Sequence, residues 1–198
     1  MRPGINPVHY QRDMMFEYFL VTQPDSKVIE MILEEKGFFQ DHYNHIQDLQ
    51  TKPQITIVHF LAKDIMEETL IRWIQNICHL HTGFEVALNN FSGFPPQSIY
   101  LRVQEPAPLI RLANAMKMID GFIQSNNCPP LQIINRPHLT IAGNLPEHVY
   151  NNAIGDYAAK SFNASFKVDQ LQLLKRESGF QACEIVNRFS LAQSVANN

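Results

Sequence analysis

Two short stretches constrain this chain more than anything else in it. Residues 52–59 read KPQITIVH and residues 136–143 read RPHLTIAG. Each sets a basic residue, Pro, a polar residue, an aliphatic, Thr and Ile in the same order. Such alternation is the mark of a strand, whose successive side chains point to opposite faces. In the first copy Lys52, Gln54 and Thr56 share a face, and Ile55 and Ile57 take the other. In the second, Arg136, His138 and Thr140 lie opposite Leu139 and Ile141. Each strand therefore buries its Ile side under helices. Brought together across a pseudo-twofold, the two polar sides line one cleft with Gln54, Thr56, His138 and Thr140. The frame occurs twice but the imidazole only once, because Gln54 stands where the second copy has His138.

The surrounding pattern supports two similar halves. MMFEYFLVT (14–22) reads as a strand and 26–39 as a helix, capped by Asp25 or Ser26 and stopped at Gly37. A polar, ring-rich connection (41–52) leads to a strand over 53–62 and an amphipathic helix over 64–80. Residues 84–94 and 97–104 alternate as strands around a Gly-Phe-Pro-Pro turn. A helix follows over 107–123, then a long loop, a strand at 138–145 and a helix at 146–160 with Pro at its start. Residues 162–177 and 180–191 close the chain as a hairpin. The order β-α-β-α-β-β-α-β-α-β-β predicts an α+β fold: two pseudo-symmetric lobes, antiparallel sheets lining a central cleft, helices on the outer faces. We expect one two-lobed domain over 1–198, with 1–13 a loosely held arm and 192–198 a polar tail.

Composition narrows the partners. At 45% apolar and 18% charged residues, the 198-residue chain is an ordinary globular sequence with enough apolar content for a sizeable core. Its net charge of −3 argues against broad, sequence-blind binding of nucleic acid, while leaving room for a cationic pocket around one phosphate. Cys78, Cys128 and Cys183 form no CxxC pair and read as reduced thiols of a cytoplasmic protein. The N-terminal stretch has no apolar core of a secretory signal, and no apolar run approaches the ~20 residues that cross a bilayer. No membrane partner is expected, and the oligomeric state is not readable.

With these pieces in order, the sequence resembles the 2H phosphoesterase superfamily, and within it the bacterial 2′-5′ RNA ligase-like (cyclic phosphodiesterase) proteins. That family carries two H-x-[ST]-aliphatic motifs on strands of a two-lobed fold. FEYFLVTQP resembles its first strand, FEVALNNFSGFPPQSIYLRV its middle hairpin, FKVDQLQLLKRES the strand after the last helix, and HLTIAG its second motif, intact. QITIVHFLA occupies the first motif with Gln for His. The resemblance implies hydrolysis of 2′,3′-cyclic phosphates or cleavage of 2′-5′ linkages, with no metal or other cofactor. The partner it implies is a phosphorylated nucleotide or an RNA end in the cleft. Carried over by position, His138 is a proton shuttle, Thr140 and Thr56 hold the phosphate, and Gln54 stands at the other shuttle's place. A Gln amide donates hydrogen bonds but does not titrate, so catalysis is expected to be impaired or altered. Alternatives are a nucleotide-binding or phosphate-binding module without chemistry, and an interaction protein with a vestigial cleft. Gly143 also departs from the pattern, standing where many relatives place a basic side chain.

Other residues are weaker candidates. His59 shares the first motif's strand, but its odd position turns it toward the helices unless a bulge intervenes. His42 and His45, in the loop feeding that strand, could reach the cleft. His79 and His81 do not share a helix face, which weakens a metal site near Cys78. Lys52, Arg102, Arg136, Lys175 and Arg176 could face a phosphate or form a solvated rim, and Tyr18, Phe94 and Tyr100 could stack on a base or pack in the core. His9 and His148 read as surface residues.

Overall fold

The structure, a computed structural model, describes residues 14–45, 52–177 and 182–193. The expected arm at 1–13, with His9, and most of the expected tail lie outside these residues. Among the described residues the strands form two antiparallel sheets. The larger has the order β5-β2-β1-β8-β9, from Gln132–Ile133, Ile55–Lys63, Met15–Thr22, Gln170–Glu177 and Glu184–Ser190. The smaller has the order β6-β4-β3-β7, from His138–Ala142, Ser98–Val103, Phe84–Phe94 and Asn163–Val168. This is the mixed α and β, two-sheet architecture read from the alternation.

Each sheet carries helices on its outer face, and the chain crosses between lobes to supply them. Helix α1 (Ser26–Tyr43) follows β1 of the larger sheet yet packs on β6 and β7 of the smaller one. Helix α3 (Ala107–Ala115) follows β4 of the smaller sheet and packs on β2. Helix α2 (Glu67–His79) covers β9, and its Trp73 packs against Phe122 of a short helix α4 (Asp120–Ser125). Helix α5 (Glu147–Ala159) sits on β3 and β4. A latch ties α1 to α5: Glu35 accepts hydrogen bonds from Tyr157 Oη at 2.6 Å and Lys160 Nζ at 2.5 Å, and Tyr43 Oη donates to Asp156 at 2.7 Å. The buried core runs through both lobes, and Ile55, Leu139 and Ile141 on its sheet faces have no exposed surface.

Several boundaries differ from expectation. Gly37 does not stop α1, which runs to Tyr43 and ends at Asn44 in the left-handed region (φ 48°). A glycine inside a helix costs about 1 kcal/mol. Burial of Phe39 against Tyr157, worth about 1.5–3 kcal/mol for such a side chain, outweighs it. The helix expected over 107–123 is broken by a 3-10 turn at Met116–Ile119, whose i,i+3 spacing keeps both end side chains buried on one face. The long loop contains β5, which adds a short edge to β2. Residues 162–177 are two strands in different sheets, divided at Asp169, because buried positions switch from even (Phe166, Val168) to odd (Leu171, Leu173) there.

Candidate functional site

The two frames meet. Strand β2 and strand β6 approach each other between the sheets. Gln54, Thr56, His138 and Thr140 line one open hollow of about 250 Å³, with Phe19 and Ile134 also in its wall. That volume lies just below the roughly 300–1,000 Å³ usual for ligand pockets. It suits a phosphate with part of a nucleoside better than a length of RNA. All four side chains face this hollow, while their aliphatic neighbours Ile55, Ile57, Leu139 and Ile141 are buried on the helix side.

His138 is held firmly. Its Nδ1–H donates to the Arg136 carbonyl at 2.7 Å. A carbonyl oxygen only accepts, so the neutral ring carries its proton on Nδ1 and keeps its lone pair on Nε2. Phe94 meets the imidazole edge-on with 5.0 Å between centroids, and Tyr100 lies tilted at 4.9 Å. Cross-strand pairing of β4 with β6 sets Arg102 beside His138 and Tyr100 beside Thr140. Phe94 and Tyr100 therefore form the wall of the second motif. Tyr18 does not belong to the cleft: it is fully buried on the helix side and its hydroxyl donates to Glu67 at 2.9 Å.

The first frame holds the main correction. Pairing of β1 with β2 runs in register from Met15 with Lys63 to Leu20 with Val58, then jumps to Val21 with Thr56. Ile57 is thus an extra residue, a bulge, and side-chain parity reverses past it. Thr56, His59, Leu61 and Lys63 are half-buried, whereas Ile55, Ile57, Val58, Phe60 and Ala62 are buried. His59 consequently lies on the cleft side and lines the same hollow as Thr56 and His138. The parity count that turned it toward the helices holds only for a regular strand.

The remaining candidates disperse. His42 stacks on Phe38 with 5.3 Å between centroids and lines a separate concavity with Tyr43, Asp156 and Lys160. His45 Nε2 approaches the Gly143 carbonyl at 3.4 Å, a long contact just past the second motif, and does not line the hollow. His79 accepts from Gln75 Nε2 at 2.7 Å. No group of three His, Cys, Asp or Glu side chains among the described residues could hold a metal. His148, Lys52 and Arg136 are exposed. Lys175 is not a rim residue: it is buried on the helix side, ion-paired with Asp64 and, at 2.8 Å, with Glu67. Burial pulls its ammonium down, but these carboxylates outweigh that and raise it above its ordinary value. Arg176 pairs with Glu17 and lies 4.8 Å from the Phe19 ring centroid.

A sequence model described as the 2'-5' RNA ligase superfamily matches residues 39–180. The chain belongs to this superfamily. Its fold is that of solved members and relatives. E. coli LigT in its apo form is 17% identical, covers 90% of this chain and 99% of its own, and superposes with a TM-score of 0.59. LigT complexed with 3'-AMP is 15% identical, with 91% and 99% coverage and a TM-score of 0.62. TT0787 of Thermus thermophilus is 13% identical, with 90% and 99% coverage and a TM-score of 0.66. No curated sequence matches the chain. Among the described residues of this superfamily member, no helix is long and apolar enough to cross a membrane.

Proposed function

We propose that the hollow receives the phosphate of a small nucleotide or RNA end and acts on 2′,3′-cyclic phosphates or 2′-5′ linkages, with chemistry altered at the first motif. One observation carries the reading: the intact His138/Thr140 pair faces Gln54 and Thr56 around a single hollow of about 250 Å³. In this reading the Thr56 and Thr140 hydroxyls and the Gln54 amide donate to phosphoryl oxygens. His138, with its lone pair on Nε2, accepts a proton from the attacking water. The structures of LigT with 3'-AMP, with phosphate and with ATP support a nucleotide as the class of ligand.

Gln54 cannot transfer a proton. Loss of one such group costs about 10²–10⁴ in rate, or about 3–5 kcal/mol of barrier. The test is incubation with 2′,3′-cyclic AMP and a short 2′-5′ oligoadenylate, for the native chain, Gln54→His and His138→Ala. Hydrolysis that disappears in His138→Ala supports the proposal. No turnover above His138→Ala in either of the other two proteins contradicts it.

Gln54 itself favours a second reading, because its amide keeps the hydrogen bonds that binding needs. Saturable 3'-AMP binding by calorimetry, with no turnover in the native chain or in Gln54→His, would assign the hollow a binding role alone.

A further inference from the structure

We propose that His59 supplies the proton-transfer group that Gln54 cannot, acting across the hollow from His138. The inference rests on the phosphoesterase reading of the hollow and names a second catalytic residue within it.

The bulge at Ile57 makes Thr56 and His59 successive positions on one face of β2, and Gln54, just before the strand, lines the same hollow. Same-face positions on a strand are about 7 Å apart. Thr56 therefore has Gln54 on one side and His59 on the other at similar spacing. The imidazole of the first motif is displaced to the far side of its threonine rather than lost. Bulges beside sites commonly re-aim one side chain in this way.

The ring is also held as a functional group would be. It stacks on Phe19 with 4.6 Å between centroids and 11° between planes. Its Nε2 is buried and has no hydrogen-bond partner among the described residues. A buried polar atom left unpaired costs about 1–3 kcal/mol, and such exceptions call for a reason. A small turn of the ring on Phe19 that opens Nε2 to the hollow lets an oxygen of a bound phosphate ester supply one. The charged or titratable groups on cleft-face positions around His59 are Glu17 and Arg176, which are paired with each other, Lys63 farther along β2, and His138 across the hollow.

For a 2′,3′-cyclic phosphate the step balances as follows. Water attacks phosphorus and its proton passes to His138 Nε2. The bond from phosphorus to one ribose oxygen breaks, and that oxygen takes the proton from His59. The product is a phosphomonoester, and the two imidazoles return to their starting states by proton exchange with solvent.

The experiment is the pH profile of kcat/KM on 2′,3′-cyclic AMP for the native chain, His59→Gln, His59→Phe and His59→Gln with Gln54→His. Thermal melts confirm that each variant folds. The native profile is expected to be bell-shaped, since His138 must be unprotonated and His59 protonated. Both single variants should fall about 10²–10⁴-fold and lose the alkaline limb, and Gln54→His should restore part of the loss. His59→Phe keeps the stack on Phe19, so a packing role alone would leave its activity intact and overturn the proposal. An unchanged alkaline limb in His59→Gln would do the same. If the native chain is inactive while Gln54→His turns over, this proposal fails and the phosphoesterase reading stands. If neither turns over, both fail. Should the variants not fold, the native imidazole resonances decide: His59 must shift on saturation with inorganic phosphate, and a fixed resonance overturns the assignment.

Discussion

The imidazole of His59 lies parallel to the phenyl ring of Phe19, across the β1–β2 pairing, with 4.6 Å between centroids. Arg176 approaches Phe19 from the β8 side at 4.8 Å, so a half-buried phenyl ring is the platform on which the cleft side of β2 is oriented. Phe19→Ala should cost about 2 kcal/mol of stability, less than the 3–5 kcal/mol of a fully buried Phe→Ala. It should lower kcat/KM on 2′,3′-cyclic AMP about 10–100-fold through loss of orientation. Phe19→Tyr, which keeps the ring, should retain most activity. Denaturant melts and initial rates on the three proteins check this; equal activity in Phe19→Ala and native protein would show that the stack does not orient the site.

A second prediction concerns the floor of the smaller sheet. A Cβ on Gly93 would lie 2.5 Å from Tyr150 Oη and 2.9 Å from Ile154 Cδ1, both on α5. Gly93→Ala must displace the Tyr150 and Ile154 side chains of α5, which pack beside the strand that carries Phe94, a neighbour of His138. Overpacking of this kind costs about 1–3 kcal/mol. Adding Tyr150→Phe removes the closest atom, so urea denaturation of the double variant should recover part of the loss. A double variant less stable than Gly93→Ala alone would mean that the clash is not at the hydroxyl.

Stability should fall in alkali, and the sign follows from buried acids. Burial pushes the Cys78 thiol from 9.0 up to about 12. Burial, then the charge and hydrogen bond of Glu67, raises Tyr18 above its ordinary 10.0, and burial with Glu35 does the same for Tyr157. Each group keeps its proton longer in the folded chain. Its contribution is complete below the unfolded value and is lost as pH rises toward the folded one. The urea midpoint should therefore hold to pH 9 and fall above it. One group accounts for about 1.4 kcal/mol per pH unit in its window. Cys78→Ala should flatten the decline between pH 9 and 10; an unchanged slope in that variant would remove Cys78 from the account.

The period-two alternation around Gln54 and His138 was enough to read the shared hollow, because Ile55, Ile57, Leu139 and Ile141 announce which side is buried. The helix N-terminus at Asp25 was equally legible, and its carboxylate does accept from the Val28 N–H at 3.0 Å. The alternation does not place His59, since nothing at Ile57 marks a bulge: the extra residue is a buried aliphatic, with no Gly or Asn to flag it. By contrast Asn90, at φ 52°, sits where β3 bulges against β4, a position that a turn-forming residue does signal. The split at Asp169 was present as a switch of apolar parity from Val168 to Leu171, but which sheet each half joins depends on contacts remote in sequence. Helix α1 outran Gly37 because Phe39 and Tyr43 find partners on α5, which local propensity does not see.

Two imidazoles, one from each sheet, share a single phosphate-sized hollow. Side-chain NMR of the histidine rings during a titration with inorganic phosphate tests it most directly. His59 and His138 should shift together with one apparent Kd, while His79 and His148 stay fixed. Movement of His138 without His59, or of neither at saturating phosphate, would contradict it.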